Sequence, residues 1–120
     1  MTGIIQFLSN QQEDSVYSIK DFQKYNKPEC MVITQHSRRR FIERGIKIDD
    51  ICFAIEHGEI IEQYEDDFPF PSCLILSISG NHILHVVASI DNGIMYVITA
   101  YIPDPLKWEP DWKIRREEAK

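Results

Sequence analysis

His36, Arg40 and Arg44 follow one another at intervals of four residues, which on a helix makes one slowly drifting stripe. An imidazole beside two guanidiniums is a set that phosphodiester cleavage uses: a titratable acid or base, and fixed positive charge for the phosphate of the transition state. The same stripe has a plainer reading, a solvated face on which Glu43 and Asp50 screen the arginines. His85 and Tyr101 complete the candidate catalytic set. His85 sits in an apolar run between Leu84 and Val86, and Tyr101 stands just ahead of Pro103, where a phenol can donate at a cleft rim. Their plainer readings are a satisfied core histidine and a packed tyrosine with one hydrogen bond. Basic side chains gather in two groups: Arg38, Arg39, Arg40 and Arg44, then Lys113, Arg115 and Arg116. Arg39, Lys113 and Arg115 are the candidate substrate contacts if the two groups converge in space.

Other chemistries find less support. His82 and His85 look like a metal pair, but residues three apart on a strand point to opposite faces. With neither a CxxC nor an HExxH motif, no metal is expected. Cys73 has no local activating signal, and Ser72 lacks the glycines of a nucleophile elbow. No glycine-rich phosphate loop is present, so no cofactor is expected.

The elements that must position these residues are legible from periodicity. SIKDFQKYN reads as a short helix capped by Ser18 and ended by Asn26 and Pro28. Met31 to Ile33 is a short extended run, Thr34 caps QHSRRRFIER, and Gly45 stops it, with Phe41 and Ile42 facing the core. Asp49 caps a second helix, with Ile51, Ala54 and Ile55 as its apolar stripe and Gly58 as its stop. From Glu59 the period becomes two: EIIEQYE, SCLILSIS, HILHVVASI and IMYVITAYI are strands. The expected fold class is therefore α+β, two short helices followed by a four-stranded antiparallel β-meander. Gly80-Asn81 as a two-residue turn sets Leu76 opposite His85. Asp91-Asn92-Gly93 as a three-residue loop sets Ile90 opposite Ile94 and His85 opposite Thr99. Leu76, His85, Thr99 and Tyr101 then share one face, expected to pack on the helices with His36 near its edge. Cys73, Ile75, Leu84, Val86, Ile98 and Ala100 occupy the other face. That second face must meet the N-terminal segment, the C-terminal arm or a second copy, so a homodimer is expected. Residues 1–33 read as a variable N-terminal attachment, 34–112 as the main domain and 113–120 as a polar tail. Trp108 and Trp112 can clamp a proline-stiffened arm onto the body.

Composition bounds the function. The chain has 120 residues, 43% hydrophobic and 27% charged, an ordinary globular mix for one domain. Thirteen basic and nineteen acidic side chains give a net charge of −6, which argues against a bulk electrostatic grip on nucleic acid but not against a local basic patch. Its longest apolar runs fall far short of the roughly 20 residues of a spanning helix. The start MTGIIQFLSNQQED has no basic n-region or small-residue cleavage site, so no secretory signal is expected. Cys30, Cys52 and Cys73 are odd in number and widely spaced, which suits reduced thiols in the cytoplasm.

The strings HSRRRFIERGI, GEIIEQYEDDFPFPSCLIL, HVVASID and VITAYIPDPLKWEPDW, in that order, resemble a bacterial family, the domain of unknown function numbered forty-two fifty-eight. The likeness covers about residues 34–112. It is carried by His36, Arg40, Arg44, Gly45, Gly58, Glu59, Tyr64 and Asp67, and by Pro71-Ser72-Cys73, His85, Tyr101, Asp104, Pro105 and Trp108. Members of the family resemble, in size and in their gene setting beside small zinc-finger antitoxins, the toxin half of toxin–antitoxin pairs. The order of elements is similar to the RelE-like ribonuclease architecture. The resemblance implies a small cytoplasmic endoribonuclease-type toxin domain that cleaves RNA without metal. His36 or His85 would be acid or base, Arg40 and Arg44 would hold the phosphate, and Tyr101 would be a further donor. RNA, a small antitoxin protein and a second copy of the chain are the expected partners, with no membrane. The competing expectation is a non-catalytic binding module in which His36 and Arg44 are struts to Asp104 or Asp67.

Overall fold

The computed structural model describes residues 17–117, so the apolar start at Ile4, Ile5, Phe7 and Leu8 lies outside the described residues. Helix α1, Ile19–Lys24, begins where the Ser18 amide donates to the Asp21 carboxylate at 2.8 Å, and it carries Phe22 into the core. A short 3-10 turn, Pro28–Cys30, leads into strand β1, Met31–Val32. Thr34 then caps α2, Gln35–Glu43: its hydroxyl oxygen accepts from the Ser37 amide at 3.1 Å, pairing one donor that the first turn would leave open. The helix ends at Gly45, whose φ of 70° is left-handed. There the Gly45 amide donates to the Ile42 carbonyl and the Ile46 amide to the Phe41 carbonyl, a Schellman motif with Phe41 and Ile46 both buried. Phe41 faces inward as expected, but Ile42, expected beside it, is 78% exposed. Helix α3, Ile48–His57, has Lys47 rather than Asp49 at its N-cap, and the Asp50 carboxylate reaches back to the Lys47 amide at 2.8 Å. Asp49 falls inside the first turn, where a negative charge still suits the helix dipole.

Strands β2 (Glu59–Tyr64), β3 (Ser72–Ser79), β4 (His82–Asp91) and β5 (Ile94–Tyr101) form the antiparallel meander. The correction is a fifth strand. The sheet order is β1-β5-β4-β3-β2, with Met31 and Val32 parallel to Met95 and Tyr96, so the sheet is mixed. Two residues of apolar run are too few for periodicity to reveal a strand. Gly58 joins α3 to β2 where chains crowd: a Cβ there would lie 2.3 Å from the Ala54 carbonyl oxygen and 2.7 Å from that of Leu76. Only glycine permits this approach.

Register follows the sequence reading in the first hairpin, with Ser79 opposite His82 and Leu76 opposite His85. The second hairpin differs. Asp91 pairs with Ile94, so the loop is the two residues Asn92 and Gly93, with φ of 54° and 78°, the geometry that matches the twist of the strands. A bulge then inserts Ile98 between the pairs Ala88–Val97 and Val87–Thr99. The two shifts add to two residues, so His85 comes directly opposite Tyr101 rather than Thr99, and both remain on its face. Ile98, expected on the opposite face, is the bulged residue and is 44% exposed.

Cys73, Ile75, Val86, Ala88, Val97 and Ala100 pack with Phe22, Phe41, Ile51, Ala54 and Ile55 in the core. The helices therefore cover the face opposite His85 and Tyr101, not the face expected. The physical reason is polarity: the His85 face also carries Tyr101 and Glu62, and the apolar side chains that the helices bury, Phe41 from α2 and Ile51, Ala54 and Ile55 from α3, offer such groups no partners. No described helix is long and apolar enough to cross a membrane.

Candidate functional site

The His85 face is covered by the chain beyond β5. Lys107, Trp108 and Glu109 pair with Arg116, Arg115 and Ile114 in a small irregular hairpin. Trp108, 3% exposed, sets its ring edge-to-face on the His85 imidazole, centroids 4.5 Å apart. The turn of the hairpin holds Trp112 at a φ of 66°, a region that bulky residues rarely enter. In that conformation its carbonyl lies 2.9 Å from His85 Nε2. A carbonyl only accepts, so Nε2 carries the proton and Nδ1 is left to accept from the Tyr101 hydroxyl at 3.3 Å. Burial lowers the His85 pKa, more than the Trp112 hydrogen bond and the Glu62 charge raise it, while Arg115 adds to the lowering. Burial also raises the Tyr101 pKa, so the phenol stays protonated. His85 is a fully buried, neutral histidine with both nitrogens engaged.

Arg115 belongs to the same assembly. It forks onto Glu62 through Nε and an Nη, each at 3.0 Å, stacks 4.7 Å over Trp108 and reaches the Tyr64 hydroxyl at 3.3 Å. Tyr64 in turn donates to Glu62. Burial works to raise the Glu62 carboxyl, but the hydrogen bonds from Arg115 and Tyr64 outweigh it and leave the group below its ordinary range. Lys113 pairs with Glu59 at 3.2 Å and Arg116 with Glu109 at 3.5 Å. The tail expected to be loose is thus fastened as far as Arg116. Lys113 and Arg115, read as substrate contacts, have their charges matched within the chain.

The second region lies along β5, where β1 ends and leaves strand carbonyls without a neighbour. Helix α2 covers that edge. The Ser37 hydroxyl donates to the Ile98 carbonyl at 3.0 Å, and one Arg44 Nη donates to the Ala100 carbonyl at 2.7 Å and to Thr99 Oγ1 at 3.3 Å. Arg44 ties α2 to β5 and not to the arm, and the carboxylates expected as strut partners are engaged elsewhere: Asp67 accepts from Ser72 and Asp104 from the Leu106 amide. His36, Arg38, Arg39 and Arg40 are all exposed on α2. The ion pairs found among the described residues use Lys113, Arg115 and Arg116 and none of these arginines.

The five candidate catalytic residues therefore divide. His85 and Tyr101 form one contact pair, Arg44 anchors the neighbouring stretch of β5, and His36 and Arg40 stand in solvent on the helix above it. The two basic groups do not converge: α2 borders β5, while Arg115 and Lys113 are bound to β2 at the other edge of the sheet. His82 is exposed and His85 buried, and among the described residues no group of three or more His, Cys, Asp or Glu is placed to hold a metal. Burial pushes the Cys73 thiol up to about 12, which leaves no thiolate for covalent chemistry. The sequence reading missed Ser37 and the Glu62–Tyr64–Arg115 group. Glu62 and Tyr64, two apart on one strand, were the available signal for a shared face.

No curated protein and no solved structure matches the chain. The family described as Domain of unknown function (DUF4258) matches residues 33–102, which spans α2, α3 and the whole meander and excludes the arm. Through that match over more than half its length, the chain belongs to the DUF4258 family.

Proposed function

We propose that this protein is a small endoribonuclease-type domain whose substrate strand lies along the exposed face of α2. The observation that carries the reading is the cluster of His36, Arg38, Arg39 and Arg40, open to solvent in an otherwise acidic chain. In the proposed reaction His36 removes the proton of a ribose 2′-hydroxyl. The 2′-oxygen then bonds to the adjacent phosphorus as the bond to the 5′-oxygen breaks. The imidazolium returns its proton to the departing oxygen, leaving a 2′,3′-cyclic phosphate and a free 5′-hydroxyl. Arg40 and Arg39 balance the charge that gathers on the phosphate. Arg44 fixes α2 against β5, while the His85–Tyr101 pair, on the sheet face away from the helices, holds the arm and not the substrate. A protein antitoxin would act by covering the α2 face.

The test is cleavage of RNA in EDTA by the wild type, His36→Ala and Arg40→Ala. Cleavage should fall by about 100-fold or more in each variant, the typical loss on removing an acid–base group or a transition-state donor. Equal rates in all three would move the chemistry off α2. No cleavage by the wild type would favour the second reading, a non-catalytic binding module. That reading has its own observation: the motif residues His85 and Arg44 both make hydrogen bonds within the fold.

A further inference from the structure

A groove of about 480 Å³ opens between the β2–β3 loop and the first turn of α2. Phe68, Phe70 and Tyr96 supply its flat surfaces, and Asp67, Ser89 and Thr34 its polar ones. We propose that this groove holds one unpaired guanine of an RNA strand. The inference rests on the reading of α2 as the path of that strand, and it adds the base that the strand presents.

Three features point to a base. The Phe70 and Tyr96 rings are stacked at 22° with centroids 5.9 Å apart, which gives one wall two nearly parallel aromatic rings. Phe68 is 94% exposed, a phenyl ring standing in water where a stacking partner would cover it. The volume lies in the range of small-ligand pockets and admits one nucleotide. Asp67 selects among bases. Its carboxylate accepts from the Ser72 hydroxyl, and the lone pairs that remain can accept from two more donors. Guanine alone offers two adjacent N–H groups, N1 and N2, on its Watson–Crick edge. Charge sets the direction of entry. Glu65, Asp66 and Asp67 repel phosphates from the loop side, and the exposed Arg38, Arg39 and Arg40 attract them to the helix side. The backbone would follow α2 while the base reaches across to the loop.

Fluorescence anisotropy tests this with short labelled oligouridines carrying 2′-O-methyl groups, which cannot be cleaved, and one central guanine, inosine or uridine. The guanine strand should bind about tenfold tighter than the uridine strand, and inosine, lacking the N2 amino group, in between. Asp67→Asn should abolish the preference. Phe68→Ala should lose about tenfold on the guanine strand without changing the salt dependence, and Phe68→Trp should restore it. Arg39→Ala should weaken all three strands alike and lower the salt slope by about one. Phe68 is so exposed that its variants should fold, and a thermal melt checks this. If all strands bind equally, the guanine site is wrong while the α2 reading stands. If the wild type binds none, both fail. If Phe68→Ala instead dissolves a concentration-dependent dimer, the groove belongs to a second copy and the proposal is overturned.

Discussion

His85 holds its proton on Nε2 because the group facing that nitrogen is a carbonyl, and burial disfavours a second proton at Nδ1, where the Tyr101 hydroxyl already donates. A mid-strand histidine in an apolar run was legible as buried. The identity of its partners was not, because Trp112 is remote in sequence and its left-handed φ follows from no local rule. The lowered pKa of His85 has a consequence for stability. The unfolded chain, with a histidine pKa near 6.5, binds a proton that the folded chain refuses. Stability should therefore be fully present above about pH 6.5 and fall as the pH drops below it, since the unfolded state binds more protons there. The Glu62 carboxyl works in a separate, more acidic window, below its ordinary value of 4.5. Urea midpoints at pH 7.5 and 5.5 should differ in the wild type and differ less in His85→Gln. Equal shifts in both proteins would assign the effect to other groups.

At the scale of elements, two departures in β5 add to a register shift of two residues. The loop is one residue shorter than the sequence reading set it, and the Ile98 bulge restores the parity, so His85 and Tyr101 share a face for a reason that turn chemistry alone does not show. A bulge leaves little mark in the sequence, because IMYVITAYI alternates acceptably with or without it. The helices were legible because their caps are local: Thr34, Gly45 and Gly58 each act within a turn of where they stand. Which sheet face the helices cover was not, since both faces of β3 and β4 are apolar. The role of α2 as a cover for the β5 edge distinguishes its arginines. Arg44→Ala frees the Ala100 carbonyl and should cost about 1 kcal/mol, less than a shielded charged hydrogen bond because water can reach the site. Arg40→Ala should leave the melting temperature unchanged while weakening RNA binding. A loss of stability in Arg40→Ala equal to that in Arg44→Ala would make both residues struts and remove the basis for a functional face.

For the whole molecule, the arm decides how much of the second sheet face meets solvent. The sequence-based expectation of a homodimer rested on a sheet face that two helices cannot cover, and the hairpin built around Trp108 covers it within one chain. Its attachment is distributed: the Trp108 ring on His85, the Arg115 fork on Glu62 and the Lys113 pair with Glu59 bind it to β4 and β2 together. The two surface pairs contribute little singly, as exposed ion pairs do. Trp108 is different, because it is nearly all removed from water, and its truncation should cost about 3–5 kcal/mol. In Trp108→Ala the hairpin loses its anchor and the His85 face, with Leu74 and Leu76 beneath it, opens to solvent. Such an apolar area invites association. The wild type should therefore sediment as a single chain of 14.1 kDa across a wide range of concentration, and Trp108→Ala should associate as concentration rises. A wild type that dimerises, with Trp108→Ala no more prone to do so, would show that another surface joins the copies and that the arm is not what closes the sheet.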